Sequence, residues 1–108
     1  MNADYVAVNL ANGQLPSTDT VAYTVPVDKA VLLTSIMLAN RSSSAAIAVR
    51  IGINFGTGVR LITPPLLELA PGFLYEHDHS LALPTGATVI VYGATPAQVD
   101  YIISGVIA

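Results

Sequence analysis

Apolar residues in this chain recur at every second position, and turn-forming residues break the pattern at intervals of roughly 8–12 residues. A period of two is that of a strand with one buried face, whereas a helix repeats every 3.6 residues. Ala46 to Ile53 is the cleanest instance. Ile47, Val49, Ile51 and Ile53 point one way, and Ala46, Ala48, Arg50 and Gly52 point the other, which puts Arg50 on a solvent or partner face. Tyr5 to Leu10 places Val6, Val8 and Leu10 on one face, and Asn12-Gly13 then reads as a turn before a loop from Gln14 to Asp19. Thr20 to Val25 is expected to turn Val21, Tyr23 and Val25 inward until Pro26 stops it, and Asp28-Lys29 makes the next turn.

Ala30 to Ala39 is the longest apolar segment. Its two faces, Val31, Leu33, Ser35, Met37 and Leu32, Thr34, Ile36, Leu38, are both mostly apolar. Such a strand is central, or covered on its outer side by another chain. Ten residues also suffice for a buried helix, but the β-branched residues and the flanking turns favour a strand. Asn40 to Ser44 is a polar turn, Asn54 to Gly58 a loop, and Thr63-Pro64-Pro65 a break. Leu66 to Ala70, Phe73 to Tyr75, Ser80 to Leu83, Ala87 to Tyr92 and Gln98 to Ile107 read as further strands. About eight strands with turn chemistry between them predict an all-β fold. The expectation is a single-domain antiparallel β-sandwich over residues 1–108, jelly-roll-like, with no long amphipathic helix, no repeat and no linker.

Composition narrows what such a sandwich does. Charged residues make up 10% of the 108, against about 25% in a typical soluble domain. A small domain has much surface to solvate, so either small neutral residues form the outer faces or partner chains cover them. The net charge of −3, with only Lys29, Arg41, Arg50 and Arg60 positive, gives no footprint for nucleic acid. No apolar run reaches the roughly 20 residues of a spanning helix, since Thr34 and Ser35 interrupt the longest, and no membrane is expected as partner. Met1 to Leu10 lacks a basic segment followed by an apolar run, so it does not read as a signal peptide. There is no cysteine, hence no disulfide or thiolate site.

Glu76-His77-Asp78-His79 is the one cluster of titratable groups. In extended backbone His77 and His79 share a face, with Glu76 and Asp78 on the other. Two imidazoles can ligate a metal, but a site needs three or four ligands, so the expectation is no metal and no cofactor. The cluster reads instead as a charged loop, or as an edge that discourages stray strand pairing. No serine sits in a nucleophile elbow, Gly56-Thr57-Gly58 is not followed by the lysine of a phosphate loop, and nothing in the spacing pairs Glu68 with Glu76. The chain is therefore not expected to be an enzyme. A glycan-binding sandwich is the rival from another class, although sugars stack on aromatic faces and this chain has no tryptophan. Tyr5, Tyr23, Tyr75, Tyr92 and Tyr101 fall mostly on strands, where packing against core or partner is the simpler role. Candidate contact residues with a partner chain are Tyr5, Val6, Arg50 and Tyr101, while Arg41 and Arg60 read as solvated.

Tyr23 to Ile36 (YTVPVDKAVLLTSI) runs directly into Leu38 to Ala46 (LANRSSSAA), and later come Leu69 to Gly72 (LAPG), Leu81 to Gly86 (LALPTG) and Val89 to Tyr92 (VIVY). This succession resembles a pattern in small structural proteins of tailed phages and in modules of phage tail proteins, over roughly residues 20–107. It is turn-and-strand grammar, not a ligand signature. The resemblance implies a sandwich or jelly roll in a virion. At this length it implies a capsid decoration (cement) protein on the capsid surface, assembled in the host cytoplasm. Its partners would be the major capsid protein and further copies of itself, as dimer or trimer. A tail, neck or fibre component is the second role that the resemblance allows.

Overall fold

A computed structural model describes residues 6–108, and within them every regular element is a strand. The strands are β1 (Val6–Gln14), β2 (Thr20–Thr24), β3 (Val31–Asn40), β4 (Ile47–Asn54), β5 (Val59–Leu61), β6 (Glu68–Leu69), β7 (Leu74–His77), β8 (Leu81–Leu83), β9 (Thr88–Gly93) and β10 (Val99–Ile107). All pairings are antiparallel and build two sheets. One sheet runs β1-β10-β3 with β7 and β8 both on the far side of β3; the other runs β2-β9-β4 with β5 and β6 both on the far side of β4.

Ten segments thus occupy eight strand positions. In chain order of those positions, the sheets read first-eighth-third-sixth and second-seventh-fourth-fifth, the strand order of a jelly roll. The all-β sandwich is confirmed, and the difference from eight strands lies in two interrupted edges. Thr63-Pro64-Pro65-Leu66 bows out between β5 and β6 because the two prolines have no N–H for a ladder. Where the ladder lapses, the Thr63 hydroxyl accepts from the Ile51 N–H at 3.1 Å, from a buried position. Residues 78–80 interrupt the other edge between β7 and β8.

The core fills the space between the sheets. Ile47, Val49, Ile51 and Ile53 of β4 are all buried, as the alternation predicts. Val89 and Val91 of β9, and Val99 and Ile103 of β10, meet them there. Leu15, expected in a loop, is fully buried and plugs one end of the sandwich. Its N–H donates to the Val99 carbonyl at 2.8 Å, and Gly93 makes room for it, since a Cβ on Gly93 would come within 2.8 Å of the Leu15 Cβ. On β2, the half-buried Tyr23 has its phenol pKa raised by loss of solvation.

Three β-bulges change which residues face inward. On β3 the register slips between the Ser35–Ser104 and Leu33–Gly105 pairs, leaving Thr34 unpaired, with its hydroxyl donating to the Ser104 carbonyl at 3.2 Å. Val31 and Leu33 point inward before the bulge and Ile36 and Leu38 after it. The two apolar faces read from the sequence are therefore one core face that changes parity, with Leu32 and Met37 left outside. On β2 the bulge at Ala22 turns Val21 outward, 52% exposed, which corrects its expected inward position; Tyr23 and Val25 do face in. On β1 the slip at Leu10 lets both Leu10 and Ala11 pack on the core. The expected turn at Asn12-Gly13 does not form, because β10 pairs with β1 as far as Gln14 and the Tyr101 phenol lies over Gly13.

Candidate functional site

Directly paired residues project to the same side of a sheet, so the register defines each outer face. Outside the β1-β10-β3 sheet, Ile102 pairs with Met37, Val106 with Leu32, and Leu74 with Ala39. Ala7, Asn9, Asn12 and Gln14 continue this face onto β1. Leu74 and Ile102 are 49% and 45% exposed. Among the described residues, the charges on this face are Asp100, ion-paired with Arg41 at 3.6 Å, and Glu76. Beside it Phe73 stands out next to Asn40, whose N–H donates to the Phe73 carbonyl, and Leu66 stands out on the bowed edge of the other sheet, 93% exposed.

The opposite outer face also exposes apolar side chains, with Val21, Val59, Leu61 and Ile90 projecting from it. Arg50 projects from β4, as the alternation requires, and its guanidinium lies 4.1 Å from the centre of the Tyr92 ring. The same group bonds the Asp19 carboxylate at 3.2 Å. Both partners of that pair are substantially exposed, so it contributes about 0–1 kcal/mol. It does, however, fix the arginine against the sheet. Among the described residues, the tyrosines weighed for sugar stacking are engaged: Tyr23, Tyr75 and Tyr101 pack on the core, and Tyr92 carries Arg50 on its face.

At the interrupted edges the two sheets leave an opening. His77 pairs with Ile36 and Arg60 with Ile53, and both of those isoleucines point into the core. The two basic side chains thus lie on the inner sides of facing sheets, His77 half-buried and Arg60 still exposed to solvent at the open edge, as its solvated reading requires. They line a cavity of about 280 Å³ together with Ile53, Phe55, Ile62 and Leu81. His77 Nε2 is shut off from solvent without a hydrogen-bond partner, which costs roughly 1–3 kcal/mol. The His79 ring stands edge-on to His77 at 5.6 Å. The Glu76-to-His79 cluster is therefore half edge strand and half loop. Glu76 projects outward beside Met37, and no group of three ligating side chains converges among the described residues.

Of the four candidate contact residues, the three that the structure describes lie apart. Tyr5 lies outside the described residues. Val6 opens β1, 56% exposed, and pairs with Ile107. Tyr101 turns inward beside Val99 and Ile103, while Arg50 sits on the outside of the other sheet. The outer face around Met37 and Ile102 was hidden in the sequence by the β3 bulge. The inward turn of Arg60 was hidden by the shortness of β5, three residues that carry too little pattern to set a face.

No protein-family model matches the sequence, and no curated protein matches it significantly. Two solved structures resemble the fold, both crystal structures of a pentameric capsid protein isolated from metagenomic phage sequences, one of them solved by iodide SAD phasing. Each has a TM-score of 0.46 and 12% sequence identity over 92% of this chain. This chain spans 59% and 60% of the length of those two chains. The fold rests on strand pairing alone: an all-β sandwich in jelly-roll order, with a sparsely charged outer face on one sheet and a basic cavity at the broken edges.

Proposed function

We propose that this chain is a phage virion structural protein that works by adhesion, as a decoration protein seated on the mature capsid. The observation that carries the reading is the outer face of the β1-β10-β3 sheet, where Leu32, Met37, Leu74, Ile102 and Val106 project with only Glu76 and Asp100 as charges. The apolar pairs flank a single Ser35–Ser104 pair, and partner chains are the usual cover for apolar surface clustered in this way. The sequence resemblance to small tailed-phage structural proteins supplies the virion context. Jelly-roll sandwiches serve capsids and lectins alike, so the fold supports the role without specifying it.

The mechanism is linkage. A protein that binds the assembled shell, and not its separated subunits, shifts the equilibrium toward the shell. The major capsid protein is the proposed partner, together with further copies of this chain. Residues 1–108 act as one domain in this role.

Cryo-electron microscopy of virions carrying this chain tests the proposal. Density for the jelly roll on the capsid lattice at fixed occupancy is the expected result. Density confined to the tail or neck would replace decoration with the second reading. In parallel, Leu74→Lys and Ile102→Lys should abolish shell binding while the melting temperature stays within a few degrees, because surface changes usually cost under about 0.5 kcal/mol. Undiminished binding by both variants would remove this face from the interface.

A further inference from the structure

The cavity at the interrupted edges holds chemistry that adhesion does not use. Register places Arg60 and His77 on the inner sides of opposite sheets, and between them lie the apolar walls of Ile53, Phe55, Ile62 and Leu81. No carboxylate lines this space, and Glu76, the nearest acidic residue on the strand of His77, projects from the outer face. Arg41 and Arg50 each have an acidic partner, Asp100 and Asp19; among the described residues Arg60 forms no such pair. Buried polar nitrogens are nearly always hydrogen-bonded, yet His77 Nε2 has no partner; its ring forms part of the cavity wall with that nitrogen closed to solvent, so a turn of the imidazole is what brings it to a ligand in the cavity.

We propose that this cavity binds a carboxylate carried on a compact apolar body, with Arg60 and His77 meeting the carboxylate. A guanidinium fork matches the two carboxylate oxygens, and a neighbouring imidazole N–H adds a second donor. The isoleucine, leucine and phenylalanine walls take the body. They would not compensate the dehydration of a doubly charged phosphate, which sets the ligand class. A volume of about 280 Å³ falls just under the usual range for small-molecule sites, so the body is small, of the order of one ring or a short alkyl chain. Two sources present this chemistry: a free organic acid, and the C-terminal carboxylate of another chain that ends in an apolar residue.

Methyl and imidazole NMR on the full chain tests the site, with benzoate as the first probe and benzamide as its uncharged control. Saturable shifts are expected at Ile53, Ile62, Leu81 and the His77 ring, with the methyls of Val21 and Leu66 unmoved. Binding should saturate in the low millimolar range, as suits a ligand of about nine heavy atoms. Arg60→Gln should weaken it by up to about fivefold, the worth of a charged pair at an exposed position. A tetrapeptide ending in phenylalanine, compared with its C-terminal amide, separates the sources. Tighter binding of the free peptide than of benzoate points to a chain terminus, and the reverse order to a free acid. Equal binding of benzoate and benzamide, shifts spread over Val21 and Leu66, or no saturation by about 20 mM would overturn the proposal. The wild-type titrations need no variant to fold.

Discussion

The carboxamide of Asn40 is buried where the polar turn, the β6 edge and β3 meet. Its Nδ2 donates to the carbonyls of Ala45 and Leu69, each at 2.9 Å, and its Oδ1 accepts from the Ser42 N–H at 2.9 Å. Asn40→Asp keeps the shape but sets a carboxylate against two carbonyl oxygens, so its pKa in the folded chain must rise above the roughly 3.9 of an unfolded aspartate. A raised acid pKa favours the folded state only while the group is protonated. The deficit relative to the parent chain should therefore be about 2–3 kcal/mol at pH 7, shrink as pH falls through the raised folded-state pKa, and level off below about pH 4, where the unfolded chain is protonated too, as urea unfolding at several pH values will show. Gly105 is fixed by a different constraint. A Cβ there would lie 2.5 Å from the Leu32 carbonyl oxygen, which is backbone and has no rotamer to give. Gly105→Ala should cost about 2–3 kcal/mol by the same measurement.

Among the elements, what the sequence shows and what it hides divide at the bulges. The alternation in β4 is unbroken, and each inward residue read from it is buried. In β3 and β2 the alternation is equally plain to the eye, but one inserted residue reverses parity partway along. A bulge is set by what the partner strand needs, here the close approach of Gly105 to β3, and that is a long-range fact. Val21 and Val25 separate the two readings by experiment. Val25 is buried and Val21 faces out, so Val25→Ala should cost about 2 kcal/mol and Val21→Ala under about 0.5 kcal/mol. Equal losses on thermal unfolding would mean that the β2 bulge is absent. The same logic explains the partial legibility of the candidate sites. Arg50 lies on a long, regular strand and its outward face was readable. Arg60 and His77 lie on short edge segments whose direction is fixed only by pairing with Ile53 and Ile36.

At the scale of the whole molecule, stability depends little on charge. The ion pairs of Arg41 with Asp100 and of Arg50 with Asp19 are both exposed, and the net charge is only −3. Raising sodium chloride from about 0.05 M to 1 M should leave the melting temperature unchanged to within a few degrees, since surface pairs of about 0–1 kcal/mol are all the stabilisation that screening removes. A fall of more than a few degrees would mean that the fold leans on an electrostatic network not evident in the geometry.

The position of β10 has a consequence for how the chain reaches this structure. Val99–Ile107 is the last strand in sequence, yet it lies between β1 and β3, with Val6 paired to Ile107 and Val31 to the same residue on its other side. Until those residues are available, β1 has no neighbour in its sheet and β3 keeps one bare edge. Closure of such distant pairs places folding in the millisecond-to-second regime of β-sandwiches. During that interval an incomplete chain displays open ladder groups beside apolar faces, the combination that nucleates aggregation. A chain cut after Gly93 should accordingly collect in the insoluble fraction, while the full-length chain refolds from urea in a slow phase that lacks a fast sheet-forming step.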